Sequence, residues 1–499
     1  MNAMDKMYRS TRNKELVLSA KEAILKGIAD DGGLFVYDEL DQISLPLKDM
    51  MDMTYEQMAE VVLTLLLPDF KEEEIKQCVK AAYEKQFDDE HITPLYSYQD
   101  THILELFHGP TCAFKDIGLR MLPQLMSTAL KGHDEEKIMI LTATSGDTGK
   151  AALAGFCDVE RIGITVFYPK EGVSSIQQLQ MTTQEGKNTC VCALEGNFDD
   201  AQSSVKKVLH DASFAQELKQ SKISFSSANS INIGRLIPQI VYYIYAYKEL
   251  VRQGKIKLME EVNFCVPTGN FGNVLAGYYA KLMGLPIHKL IVASNANHVL
   301  YDFLTSGVYD RNRPFHKTIS PSMDILISSN LERLLYYKSG KNAAYIQMLM
   351  ERLETRGSYR VEDELLKDIQ NDFVGGYCDD EQCAREIKAF YEQSGYVMDP
   401  HTATGYKVMR EYARQDKEHV CILLSTASPY KFAPSVYQAL FKTCNMDEFA
   451  CMEELERKSG AAIPQALREL KEKAVRHHDV IEKDAMREYV KNKTKEILL

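Results

Sequence analysis

The chain has 499 residues, 45% of them hydrophobic and 26% charged, which is enough to bury a large core divided over two or more domains. A net charge of −12, with no basic run interleaved with aromatics, argues against a nucleic-acid surface, and no apolar stretch approaches the roughly 20 residues that a membrane span needs. The 11 cysteines form no CxxC pair and no metal-ligand spacing appears, so reduced thiols and no metal are expected, and without a secretory-type apolar run at the start a cytoplasmic location is expected.

In chain order, residues 1–97 read as a mainly helical N-terminal domain, because apolar side chains recur at helical spacing over 55–67 and 72–86. From about residue 98 short apolar runs, at 103–106, 138–141, 164–168, 189–194, 263–266, 289–293 and 420–424, alternate with helical patterns. That alternation predicts an α/β fold with a parallel sheet between covering helices. The catalytic domain is placed at 98–440, with a smaller mobile lobe at about 138–255 nested inside it, closing on substrate to exclude water. Between about 310 and 385 the pattern is less regular; helices are predicted at 331–337 and 343–353, and the methionines there read as packing. Glu and Lys at helical spacing predict a solvated C-terminal helical extension over 441–499, with His477 and His478 facing solvent.

Four segments carry chemistry. In ELFHGPTCAFKD (105–116) a Gly-Pro turn presents Lys115 at the start of an apolar helix. A lysine at a helix start is ordinarily solvated; burial would keep its amine neutral and nucleophilic. VPTGNFGN (266–273) joins a strand to a helix through two glycines, a turn whose amides, with the helix dipole, can hold a phosphate. Gly269 and Gly272 are expected to take backbone angles that other residues resist. Its GxxG spacing is not the dinucleotide fingerprint. TATSGDTGKA (142–151) also follows an apolar strand, but Thr144 and Ala151 stand where a Walker A loop needs glycine and Ser or Thr, so nucleotide hydrolysis is disfavoured. CILLSTASPYKF (421–432) is a buried strand ending in hydroxyl residues. Ligands gather beyond the carboxyl ends of parallel strands, so three of these strand ends are expected to face one crevice.

The motifs HGPTCAFKD, TSGDTG, SINIGR, PTGNFGN and STASPYKF, in this order, resemble the threonine synthase family of the long-chain bacterial and fungal type. YRSTR (8–12) and DGGLFV (31–36) resemble that family's N-terminal segment, so the resemblance covers nearly the whole chain. It implies pyridoxal 5'-phosphate in fold type II, the two-lobed parallel-sheet architecture shared with tryptophan synthase β. The implied reaction converts O-phospho-L-homoserine and water to L-threonine and phosphate, with no nucleic-acid or membrane partner, in a monomer or homodimer.

By resemblance, Lys115 holds the cofactor covalently, while Gly269, Asn270, Phe271, Gly272 and Asn273 surround its phosphate. Thr426 faces its ring nitrogen, where a hydroxyl leaves the nitrogen largely neutral and suits elimination. Ser145, Asp147 and Thr148 are assigned to the substrate carboxylate and the cofactor's phenolic edge. Ser230, Asn232 and Arg235 meet the substrate phosphate, with Lys431 a further candidate. Related enzymes with other substrates carry a donating Asn where Asp147 stands, and an ionised Asp cannot donate, so its role is open. Two alternatives are a phospho-lyase that releases 2-oxobutanoate and a cofactor-binding protein without synthase turnover.

Overall fold

The computed structural model describes residues 7–499 except Asp134, Ser145, Gly172, Asn197 and His210, with the side chains of Phe198 and Asp199 also outside the description. Two parallel-stranded sheets dominate. In the larger, the strands run in the order Phe373–Tyr377, Ile287–Ser294, Val262–Pro267, Cys421–Ser425, Thr101–Glu105 and Leu95–Tyr98, and the last strand alone is antiparallel to its neighbour. In the smaller, the order is Asp479–Glu482, Thr189–Glu195, Ile162–Pro169, Lys137–Ala143 and Ile223–Ser226, all parallel. All seven expected strands form, each around a short apolar stretch, because a parallel strand is largely buried on both faces.

Several elements were not foreseen. The N-terminal region, besides its helices, holds a three-stranded antiparallel sheet of Val17–Leu18, Tyr8–Ser10 and Phe35–Tyr37. Strands two or three residues long are too short to show a period. Its helix Tyr55–Leu66 buries Tyr55, Met58, Ala59, Val62, Leu63 and Leu66, one continuous face. Full burial of each large apolar side chain contributes roughly 1.5–3 kcal/mol, which fixes this region onto the helix Ile240–Arg252. The C-terminal segment also departs from the expected solvated helices. Asp479–Glu482 joins the smaller sheet beside Thr189–Glu195, and the helix Met486–Leu498 buries Met486, Val490, Thr494 and Leu498. His477 lies outside any helix, with Nε2 at 3.0 Å from the Gln184 carbonyl. Cys444 and Cys451 lie close together on either side of Asp447, which caps the helix Glu448–Ser459. The other described cysteines are free. Among the described residues no helix is long and apolar enough to cross a membrane.

Candidate active site

Between the two sheets, at the carboxyl ends of their strands, lies a cavity of about 190 Å³. Ala143 and Thr144 reach it from the smaller sheet, and Pro267, Thr268 and Thr426 from the larger one. The three strand ends do converge.

Lys115 opens the helix Lys115–Ala129, and its position is set by backbone contacts from a distant part of the chain. The Phe114 N–H donates to the Thr426 carbonyl at 2.9 Å, and the Ser428 N–H donates to the Cys112 carbonyl at 3.0 Å. The Gly-Pro turn before it is closed by Asp116, whose carboxylate accepts from the Thr111 N–H at 2.8 Å and the Thr111 hydroxyl at 2.6 Å. That carboxyl lies 2.5 Å from where a Cβ on Gly109 would stand, so only glycine fits. The Lys115 side chain is 10% exposed. Burial lowers its pKa below the usual lysine value; nearby Lys431 and Arg235 act in the same direction, and Asp147 opposes them.

Asp147 begins the helix Asp147–Phe156, where the Thr144 hydroxyl accepts from the amides of Gly146 and Gly149. Its carboxylate accepts from Lys431 Nζ at 2.8 Å and Gln177 Nε2 at 3.1 Å on Oδ1. On Oδ2 it meets Ser322 Oγ at 3.2 Å and Lys115 Nζ at 3.4 Å. Burial by itself would raise the Asp147 pKa, but Lys431 and then Lys115 outweigh it and hold the group ionised. The carboxylate is thus shared between the ammonium groups of Lys431 and Lys115.

The GNFGN loop departs from its expected mechanics. Neither Gly269 nor Gly272 takes a positive φ; the left-handed residue is Phe271, at φ 64°. Gly269 is required for a different reason, since a Cβ there would sit 2.7 Å from the Ser322 carbonyl oxygen. The helix Gly272–Leu282 then points its amino end at the cavity. Ser328 Oγ donates to the Gly269 carbonyl at 2.7 Å, and Asn330 donates to Asn270 O through Nδ2 at 3.0 Å and to Ser230 Oγ at 3.1 Å. The irregular 310–385 region therefore builds one wall. Asn273 Oδ1 accepts from Tyr242 and Tyr243, whereas its Nδ2 is buried at the cavity with no partner among the described residues.

Arg235 lies in the short helix Ile233–Leu236, on which the Lys115 helix packs closely enough that a Cβ on Gly118 would come within 2.6 Å of the Arg235 carbonyl. The residue is 4% exposed, and its guanidinium donates from Nη1 to the Ala228 carbonyl at 2.9 Å. Among the described residues no carboxylate pairs with it, and burial pulls its pKa down to about 10. A buried cation without an anion leaves room for one from outside.

Most of the singled-out residues gather here: Lys115, Asp147, Thr148, Ser230, Arg235, all five loop residues and Thr426 line the cavity. Two are placed elsewhere. Asn232 caps the Arg235 helix, accepting from the Gly234 N–H at 2.9 Å and donating to the carbonyls of Ile24 and Ser227. Lys431 is buried against Asp147 and donates to the Thr111 carbonyl at 2.8 Å, and it does not itself line the cavity. Ser145 lies outside the described residues. Sequence reading missed Gln177, Ser322 and His401. His401 Nδ1 is 2.7 Å from Asp399 Oδ1 while its Nε2 accepts from the Ser322 N–H at 3.1 Å. None of the three stands in a glycine-rich or strand-end motif; only Asp399-Pro400, a helix start by its letters, marked the neighbourhood of His401.

A buried amine, a glycine-walled helix start and an unpartnered amide donor fit a cofactor that carries an aldehyde and a phosphate. A family model described as pyridoxal-phosphate dependent enzyme matches residues 101–426. Fold and cavity together define a pyridoxal-phosphate dependent enzyme of fold type II.

Models for the threonine synthase N terminus and the threonine synthase C-terminal region match residues 7–83 and 402–490. Threonine synthase of Saccharomyces cerevisiae is 35% identical over 488 residues, covering 91% of this chain and 93% of its own. The solved structure of pyridoxal-phosphate-bound threonine synthase from Brucella melitensis superposes with a TM-score of 0.87 at 35% identity, covering 98% of this chain and 99% of that one. The chain belongs to the threonine synthase family. Human threonine synthase-like 1 is 41% identical over 85% of this chain, which spans only 59% of that relative's length.

Proposed function

We propose that this protein converts O-phospho-L-homoserine and water to L-threonine and phosphate, the last step of threonine biosynthesis, in the cytoplasm. The observation that carries the reading is a buried lysine whose ammonium form burial disfavours and a buried guanidinium without a carboxylate among the described residues, in one cavity: one suits proton transfer, the other a phosphate. Residues 1–97, 98–440 and 441–499 would serve as N-terminal, catalytic and C-terminal units.

Lys115 and the loop from Gly269 to Asn273 would hold pyridoxal phosphate, with the Thr426 hydroxyl at its ring nitrogen. When bound, the cofactor supplies an electron sink for negative charge at the substrate's α-carbon. Lys115 Nζ, its proton affinity reduced by burial, accepts the α-proton. Arg235 offers a planar fork to the γ-phosphate and offsets its charge as it leaves, with Ser230 beside it. Thr148 and the amides at the Asp147 helix start are assigned to the substrate carboxylate. Asp147 stays ionised, accepts from Ser322 and holds Lys115 within reach. Loss of a second proton, from Cβ, supplies the electron pair that lets phosphate depart from Cγ; Cγ then gains a proton to become the methyl group, the hydroxyl of water adds at Cβ, and a proton returns to Cα.

A second reading keeps the same residues but ends with release of 2-oxobutanoate. Incubation of the holoenzyme with O-phosphohomoserine, followed by measurement of threonine, 2-oxobutanoate and phosphate, separates the two. Threonine formed in step with phosphate supports the synthase. Phosphate with 2-oxobutanoate and no threonine overturns it, and no phosphate at all leaves a cofactor-binding protein.

A further inference from the structure

At the opposite end of the larger sheet, the amino ends of three adjacent parallel strands bring together Glu261, His288, Asp416 and His419. Glu261 precedes the strand Val262–Pro267, His288 is the second residue of Ile287–Ser294, and His419 stands just before Cys421–Ser425. The two imidazoles stack with centroids 3.9 Å apart and planes 8° from parallel. Glu261 Oε2 lies 3.6 Å from His288 Nδ1 and 3.8 Å from His419 Nε2, and one ligand atom from each of the three lies within 4.8 Å of the others.

We propose that Glu261, His288 and His419 bind a divalent transition-metal ion of the zinc class. Two imidazole nitrogens and one carboxylate oxygen are a zinc-type donor set, with a fourth position left to water. Donors of a tetrahedral site with bonds of roughly 2.1 Å stand about 3.4 Å apart, so the 3.6 and 3.8 Å separations need only a small contraction. Lone pairs in parallel ring planes must converge on one ion, so binding splays the stack.

A supporting carboxylate is already in place. Asp416 Oδ1 stands 3.0 Å from His419 Nδ1 and 2.8 Å separates its Oδ2 from Asn263 Nδ2, while it also accepts from the backbone amides of Glu418 and His419. With the Nδ1 proton directed at Asp416, the Nε2 lone pair is left facing Glu261. That carboxylate–imidazole arrangement is the one that orients and strengthens metal-binding histidines. The residues lie far apart in sequence and show no ligand spacing, so only strand register creates the site. It is remote from the cavity between the sheets, which makes the ion a staple across three strands and not a participant in the reaction.

The test is calorimetric titration of the holoenzyme with ZnCl2, in parallel with His288→Ala/His419→Ala and Asp416→Asn. Expected is one tight equivalent per chain in the parent protein, its loss in the double variant, and a roughly 10- to 100-fold weaker dissociation constant in Asp416→Asn. Retention of the cofactor's visible absorbance checks that each variant is folded. No tight equivalent in the parent, or one that persists unchanged in the double variant, overturns the proposal.

Discussion

Lys431 Nζ stands 2.8 Å from Asp147 Oδ1, with the two side chains 0% and 2% exposed, and the same carboxylate reaches Lys115 from its other oxygen. Removing the charge would leave a buried ammonium without its partner, which costs about 3–5 kcal/mol. Asp147→Asn is expected to lower the unfolding free energy by that order. Denaturant titration at constant cofactor concentration measures it, and an unchanged midpoint and slope would remove Asp147 from its place as counter-ion.

Lys115→Ala is expected to lose covalent attachment of the cofactor. Among the described residues no other lysine lines the cavity beside the strand ends at Thr144, Thr268 and Thr426; Lys206 also borders the cavity, from the helix Phe198–Leu209, not from a strand end. Gel filtration followed by absorbance spectroscopy reads this directly. Persistence of the parent's visible band would assign the attachment elsewhere.

For Arg235→Ala the cofactor should remain bound while kcat/KM for O-phosphohomoserine falls roughly 10- to 100-fold, the effect of losing one hydrogen bond to a charged group at about 1.5–3 kcal/mol. Loss of cofactor with little change in substrate dependence would exchange the two phosphate assignments.

Gly269→Ala drives a methyl group against the Ser322 carbonyl, 2.7 Å from the ideal Cβ. Both sides of that contact are backbone, so the loop must shift, at about 1–3 kcal/mol. Weaker cofactor retention in equilibrium dialysis and a lower Tm are expected. Gly272→Ala is the comparison: its Cβ meets atoms at 3.4 Å, an ordinary contact, and should be milder in both measurements.

His108 sits between two carboxylates, with Nδ1 2.6 Å from Asp88 and Nε2 2.9 Å from Glu105. Burial would lower its pKa, but those two hydrogen bonds outweigh it and raise it to about 9. A raised value means that the imidazolium's stabilisation is complete below the unfolded value of about 6.5 and fades as pH climbs through the folded one. Stability of the parent should therefore fall between those limits. His108→Gln should flatten that part of the profile in denaturant titrations across pH.

Much of this protein was legible in its letters. Seven strands were readable because each is built around a short apolar stretch, and the cavity motifs because strand, turn and helix start follow one another in sequence. Lys115, Arg235 and the GNFGN loop sit in such motifs. Very short strands such as Val17–Leu18 left no period to read. The edge strand Asp479–Glu482 is largely exposed, so burial imposed no apolar pattern on it. What only the tertiary structure decided is pairing across distance. Lys431 and Asn232 stand in motifs that suggested a ligand, yet the folded chain gives one a buried carboxylate and the other a helix to cap. Phe271 takes the left-handed conformation expected of Gly269 and Gly272, and what excludes a side chain at Gly269 is a carbonyl from Ser322, more than fifty residues later. Local spacing fixes which face of an element is apolar and where its amides point; which charge meets which depends on strand order and register, and those emerge only when the whole core packs.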